Sequence, residues 1–214
     1  MKRNLIISIL CLFTGSMYVS SQTIEEPADP VDWVNPLMGT QSKHSFSNGN
    51  THPLIAVPWG MNFWMPQTGK MGDGWGYTYD ADKINGFKQT HQPSPWIGDY
   101  GHFVIMPLTG SPLFDEEERA SWFSHKAEIV KPYYYSVYLA DFDVVTEITP
   151  TERAAMFRFT FPENDSSFVM VDALMNSGRQ KDNRASYIKI VPGENKIIGY
   201  TTTNSRGVPD NFKN

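Results

Sequence analysis

AAMFRFTF, residues 154–161, is the stretch that decides the fold class of this protein. Its side chains alternate, so that in an extended chain Met156 and Arg158 lie on one face and the three phenylalanines lie on the other. Alternation of this kind is typical of a strand with one face in a hydrophobic core and the other in solvent. The stretch therefore predicts a half-buried β-strand.

Similar short segments lie on both sides of this strand, separated by Gly, Pro, Asn and Asp, which form turns. They are residues 103–106, 133–139, 144–149, 167–174, 187–191 and 197–202. Strands at this spacing predict an all-β fold, an antiparallel β-sandwich. The region 39–101 is different, because it is rich in Gly, Pro, Asn, Trp and His and predicts long irregular loops, which tend to carry function.

Two local features refine this prediction. The strand at 103–106 is expected to be ended by Pro107 and Gly110, because proline cannot donate to a sheet. The acidic segment DEEERA, residues 115–120, has no apolar face, so we interpret it as a solvated charge run rather than a helical turn.

The first residues have the order of a secretory signal peptide. A basic start precedes the apolar run LIISILCLF, residues 5–13, and small and polar residues follow it. The run is too short for a membrane span, which needs ~20 residues, and a core strand would rarely start there. We predict a signal peptide over 1–21, a linker over 22–30, no membrane span, and a periplasmic or extracellular protein.

Cys11 is the only cysteine of the 214 residues and lies inside this apolar run. Leu10 precedes it, where a lipoprotein signal has a small residue, so no lipid anchor is expected. The mature chain then lacks disulfides, thiolate metal ligands and cysteine nucleophiles. The net charge of −5, without a basic patch, argues against nucleic acid as a partner.

Common catalytic motifs are absent from the sequence. There is no G-x-S-x-G elbow, and the five histidines lack the spacing of a zinc site. Glycoside hydrolysis needs two carboxyl groups around one bond, and sequence spacing does not show which acids face each other. Aromatic residues make up 14% of the chain, and such rings either pack a β core or face sugar.

Five ordered blocks carry a resemblance to a known family. They are VDWVNPLMGTQ (31–41), GNTHPLIAVPWGMNFWMPQTG (49–69), GWGYTYDADKINGFKQTH (74–91), GDYGHFVIMPLTG (98–110) and SHKAEIVKPYYYSVYLADFDVVTEITPTERAAMFRFTFP (124–162). In this order they closely resemble the N-terminal β-sandwich domain of glycoside hydrolase family 92, a family of exo-acting α-mannosidases. The resemblance covers residues 31–214 and implies a supersandwich of the galactose-mutarotase-like type.

The resemblance also implies a function. Family members are calcium-dependent, inverting enzymes that act on mannose-containing glycans, and a larger (α/α)6 domain supplies their general acid, general base and Ca²⁺ ligands. We therefore expect no catalytic residue and no metal ligand in this chain. We expect it to bind sugar but to be inactive alone, with a missing or separately encoded (α/α)6 domain as its partner.

Candidate substrate-binding residues lie in the loop-rich half. Thr90, His91 and Asp99 match the family motif, whereas QPSPW, residues 92–96, replaces its usual small residues. Asp99 is suited to accept hydrogen bonds from sugar hydroxyls, or to cap a turn. Trp96, stiffened by two prolines, is suited to stack on a sugar or to pack inward.

Trp75 is a further candidate, because the glycines on both sides of it let a ligand come close, although a tryptophan is often mostly core. Two other functions stay open. One is a stand-alone carbohydrate-binding protein, which an intact solitary gene would favour. The other is a complete small hydrolase that uses acids such as Asp73, Asp80 or Asp99, which release of mannose by the chain would favour.

Overall fold

The computed structural model describes residues 29–41, 51–69, 76–90, 103–173 and 186–201. Regular structure in these ranges is antiparallel β, apart from two 3-10 turns at Pro30–Trp33 and His125–Ala127. In chain order the strands are β1 (Phe63–Gln67), β2 (Lys83–Ile84), β3 (Gly86–Thr90), β4 (Val104–Thr109), β5 (Ser121–Trp122), β6 (Glu128–Lys131), β7 (Tyr134–Leu139), β8 (Val144–Pro150), β9 (Ala155–Thr160), β10 (Ser167–Asp172), β11 (Ser186–Val191) and β12 (Lys196–Thr201).

Two four-stranded sheets dominate. Sheet 1 has the order β1-β3-β4-β10 and sheet 2 has the order β6-β7-β8-β9, while β2 pairs with β5 and β11 pairs with β12. Every one of these pairs is antiparallel. The predicted all-β antiparallel fold is therefore confirmed, and the described ranges contain no helix with the length and apolarity needed to cross a membrane.

One hydrophobic cluster joins the two sheets. Rings from opposite sheets meet there, with Phe87 6.0 Å from Tyr135 and Trp64 4.9 Å from Phe157 between ring centroids. Burial of each large apolar side chain contributes roughly 1.5–3 kcal/mol. The buried core members are, from sheet 1, Trp64, Phe87, Met106, Leu108 and Met170 and, from sheet 2, Tyr135, Val137, Leu139, Val144 and Ile148.

Strand β9 confirms the alternation on which the fold prediction depends. Met156 and Arg158 are exposed, and the phenylalanines at 157, 159 and 161 pack against the core. The other predicted strands also occur, within a residue or two at most ends. The loop-rich half holds more regular structure than its composition suggests, because β1, β2 and β3 all lie there.

Two local predictions were wrong. Strand β4 continues through Pro107, which pairs with Val169 of β10; the described pairing with β3 stops at Ile105, so the missing N–H of Pro107 lies beyond that ladder. Segment 115–120 forms a single turn, closed by a hydrogen bond from the Arg119 N–H to the Asp115 carbonyl, and Arg119 is fully buried.

The outer face of sheet 2 carries a compact charge network at Glu147. Its carboxylate accepts hydrogen bonds from the Arg158 guanidinium and from the Tyr134 hydroxyl, the latter at 2.6 Å. These bonds lower the pKa of Glu147 to about 2, and the bond from Arg158 has the larger effect.

We expect Glu147→Gln to make stability less sensitive to acid. Because the folded pKa is depressed, the contribution of the carboxylate is present above its unfolded pKa of about 4.3 and is lost as pH falls toward about 2. Thermal unfolding at about pH 7 and about pH 2.5 should show a larger drop in Tm for the wild type than for this variant. Glu163→Gln, at an exposed loop position, is the control, and equal drops in all three proteins would refute the expectation.

Candidate functional site

One end of sheet 1 anchors the segment that carries most of the predicted site. This end, called the Thr90 end below, holds the start of β1, the end of β3, the start of β4 and the end of β10. Its register pairs Phe63 with Thr90 and Val104 with Asp172. Because β3 ends and β4 begins here, segment 91–102 is joined to the sheet at this end on both sides.

The predicted residues His91, Trp96 and Asp99 belong to segment 91–102 and lie outside the described residues. Trp75 also lies outside them. The glycines that flank its segment, Gly69 and Gly76, are joined by a 3.0 Å hydrogen bond between their backbones.

Gly69 lies just beyond the point where β1 ends and β3 begins, called the Gly86 end below. The anchors of the two segments are therefore separated along β3 by its five residues, about 14 Å of strand. A shared sugar site for both segments stays a prediction.

Thr90 is the predicted site residue that the described ranges contain. It is the last residue of β3, and its side chain is fully buried. Burial is the arrangement expected of a residue that supports the base of a loop. Direct contact of Thr90 with sugar stays a prediction.

A polar row crosses sheet 1 near the Thr90 end. Lys88 of β3 and Asp172 of β10 both pair with Val104 of β4, so the three side chains share one face of the sheet. Lys88 is only 1% exposed. Charged side chains are almost never this buried unless they have partners, and a charge here requires a strongly polar surrounding.

Arg119 completes this polar region from a neighbouring turn. Its Nη1 lies 2.9 Å from the Asp172 carboxylate and 2.9 Å from the Phe114 carbonyl oxygen, and its Nε donates to the Asn85 carbonyl at 3.0 Å. The guanidinium thus joins β10, the residue before β3 and the turn at 115–119. Arg119 therefore links β10 to the start of β3, the strand that leads into the predicted loop.

The local sequence explains how Arg119 reaches this position. The Asp115 side chain accepts hydrogen bonds from the backbone N–H groups of Glu117 and Glu118, at 2.8 and 3.2 Å. An aspartate that bonds backbone groups two and three residues later starts a tight turn. The four acids are therefore the outer part of a capped turn, and Arg119, the last residue of that turn, is buried.

A second cluster of ionisable groups surrounds Glu128 between sheet 2 and residues 77–79. The Tyr135 hydroxyl donates to the Glu128 carboxylate at 2.6 Å, and His125 Nδ1 lies 2.6 Å from its other oxygen. His125 Nε2 donates to the Tyr79 carbonyl at 2.8 Å, and the two rings stack 4.1 Å apart. Burial, followed by the charge of Glu128, raises the pKa of both Tyr77 and Tyr135.

The Glu128 cluster has a structural role. Its carboxylate is almost fully buried, and both of its oxygens are already hydrogen bonded within the protein. Both ring nitrogens of His125 are likewise engaged, one with Glu128 and one with the Tyr79 carbonyl. In the described part of the chain, no group of three or more His, Cys, Asp or Glu side chains is arranged to hold a metal ion.

Trp59 is an exposed aromatic residue at the Thr90 end that sequence reasoning did not select. Ile55 and Trp64 exchange both backbone hydrogen bonds, at 2.9 and 3.0 Å, so residues 55–64 form a hairpin. The tip of this hairpin precedes the start of β1 at Phe63, which pairs with Thr90 at the end of β3. Trp59 is in that tip and is 97% exposed.

Comparison with known proteins identifies the class of this β-sandwich. Residues 33–214 match the model of the glycosyl hydrolase family 92 N-terminal domain. The chain therefore belongs to this family, as the five sequence blocks predicted.

Solved structures of family members share the fold. An inverting family GH92 mannosidase from Bacteroides thetaiotaomicron is 49% identical, with a TM-score of 0.75 over 86% of this chain and 24% of the mannosidase. A GH92 α-mannosidase from the same organism is 36% identical, with a TM-score of 0.59 over 67% of this chain and 20% of the other.

A curated relative is an uncharacterized secreted glycosidase from Arthroderma benhamiae. It is 25% identical over 162 residues, which are 72% of this chain and 20% of the relative. The chain thus spans about a quarter or less of the length of each of these relatives.

Proposed function

We propose that this chain is the sugar-recognition part of an exported exo-α-mannosidase that inverts the anomeric centre and acts on mannose-containing glycans. The observation that carries the proposal is the 49% identity to an inverting mannosidase across 86% of the chain. The domain matched is the N-terminal one, and the relatives extend well beyond it. Export is supported by the signal-like start of the sequence.

In this proposal the chain positions sugar and does not cleave it. The Thr90 end supplies a rigid base, held by Arg119 and Asp172, for the segment that carries His91 and Asp99. Inverting hydrolysis needs two carboxyl groups about 6.5–9.5 Å apart with a water between them. The resemblance to family 92 assigns the acid, the base and the Ca²⁺ ligands to the partner (α/α)6 domain.

Binding and hydrolysis are tested separately with the purified chain. We expect calorimetric titration with soluble α-mannan to show binding, and titration with a β-glucan to show none. Asp99→Ala should weaken mannan binding about tenfold or more, because a charge-assisted hydrogen bond contributes roughly 1.5–3 kcal/mol. Asp165→Ala is the matched control, since Asp165 is exposed in the loop before β10, away from the Thr90 end.

Mannose release distinguishes the alternatives. We expect no release from α-mannan by the chain alone, with or without added calcium. Release that Asp99→Ala abolishes would overturn the proposal in favour of a complete small hydrolase. Mannan binding without hydrolysis, by a chain whose gene has no neighbouring (α/α)6 reading frame, would favour the stand-alone binding protein.

A further inference from the structure

Trp59 combines two unfavourable features. Its φ is +62°, a left-handed backbone conformation that is rare and strained for a bulky residue. Its indole, one of the side chains that gain most from burial, is 97% exposed. A residue that keeps both strain and exposure at one position is a candidate for ligand contact.

The turn that carries Trp59 is firmly held. The Gly60 N–H donates to the Val57 carbonyl at 3.0 Å, and the Met61 N–H donates to the Glu152 carbonyl at 2.7 Å. A Cβ at Gly60 would lie 3.0 Å from the Val57 carbonyl oxygen, so the tight turn favours glycine there. The indole is therefore presented on a fixed platform, and little backbone entropy is lost when a ligand binds.

A second turn with charged side chains adjoins the turn that carries Trp59. The turn between β8 and β9 accepts the Met61 bond and carries Glu152 and Arg153, whose side chains are largely exposed. A carboxylate and a guanidinium can bond the hydroxyls of a sugar whose C–H face covers an aromatic ring. An exposed ring on a turn that adjoins another turn with exposed charged side chains suits a carbohydrate better than an apolar protein surface.

We propose that Trp59 is a sugar-stacking residue that contacts a hexopyranose unit of the bound glycan at the Thr90 end. This inference rests on the proposed function, because it assigns a further contact to the same glycan. Trp59 lies four residues before Phe63, which pairs with Thr90 at the end of β3.

The test is α-mannan titration of Trp59→Gly, Trp59→Phe and a control, Trp122→Ala, followed by calorimetry and tryptophan fluorescence. Trp122 is also exposed, at 48%, but it pairs with Lys83 near the Gly86 end. We expect Trp59→Gly to weaken binding about tenfold, Trp59→Phe to weaken it less, and the control to bind like wild type. Glycine tolerates φ of +62°, so the Tm of Trp59→Gly should equal or exceed that of wild type, which separates lost contact from lost folding.

Three results would contradict the proposed role of Trp59. Mannan binding that is equal in wild type and Trp59→Gly would overturn the role of Trp59 and leave the proposed function standing. Failure of the wild type to bind mannan would overturn both. Light scattering that shows a dimer in the wild type and a monomer in Trp59→Gly would overturn the sugar contact and assign the ring to a second copy of the chain.

Discussion

Arg119→Ala is expected to lower the free energy of unfolding by about 3–5 kcal/mol, because it removes one partner of a buried ion pair. The guanidinium is fully buried, lies 2.9 Å from the Asp172 carboxylate, and also bonds the carbonyl oxygens of Asn85 and Phe114. Alanine leaves those carbonyls without this donor and takes the compensating charge from Asp172. Urea unfolding, with the midpoint and slope fitted together, measures the loss.

Arg158→Ala is the matched control for this prediction. Arg158 also pairs with a carboxylate, that of Glu147, but its side chain is 72% exposed. Exposed pairs contribute about 0–1 kcal/mol. Arg119→Lys should fall between the two, because lysine keeps the charge without the planar fork that reaches three acceptors. If Arg119→Ala and Arg158→Ala lose equal free energy of unfolding, burial of the Arg119 ion pair does not determine how much it stabilises the protein.

Gly86→Ala is expected to lower the free energy of unfolding by about 3 kcal/mol, because it introduces both a steric clash and backbone strain. A Cβ at this position would lie 2.0 Å from Cγ1 of Val104, and the φ of Gly86 is +155°. Gly86 is the first residue of β3, which leads to Thr90 and the predicted loop. Substitution should therefore weaken mannan binding as well as stability, since it displaces β3 from β4.

A double-mutant cycle separates the clash from the strain. Val104→Ala in the Gly86→Ala background removes the clashing methyl. The losses in unfolding free energy of the two single variants should therefore sum to at least about 1 kcal/mol more than the loss of the double variant. Gly110→Ala is the control, because Gly110 has a φ of +85° with no atom within 4 Å of the added Cβ, and it should cost only about 1 kcal/mol. If the unfolding free-energy losses of Gly86→Ala and Val104→Ala are strictly additive in the double variant, the clash is contradicted.

Part of the proposed site was visible in the sequence and part was not. The family motif led to Thr90 and the loop after it, and the structure places Thr90 at the buried end of β3. The turn PWGM, residues 58–61, has ordinary turn composition. Nothing in these four letters shows that the Trp59 ring is exposed, because exposure depends on what the rest of the chain leaves uncovered.

Charged residues mark the clearest limit of sequence reasoning. Arg119 follows four consecutive acids, which favoured a solvated segment. Its burial depends on Asp172, 53 residues later, and on the backbone near β3, so no local pattern signals it. Pro107 is similar, because a proline is compatible with a strand only where the neighbouring strand does not need its N–H, and the pairing of β4 decides that.

The sequence by itself determined the fold class, the positions of most strands and the family. Alternation such as that of residues 154–161 is sufficient for this, because the geometry of a single extended strand sends successive side chains to opposite faces. Only the tertiary structure decided that Arg119 is buried, that Gly86 must lack a side chain, and that Trp59 stands exposed beside the Thr90 end. Those properties depend on contacts between segments distant in sequence, which form only when the two sheets pack together.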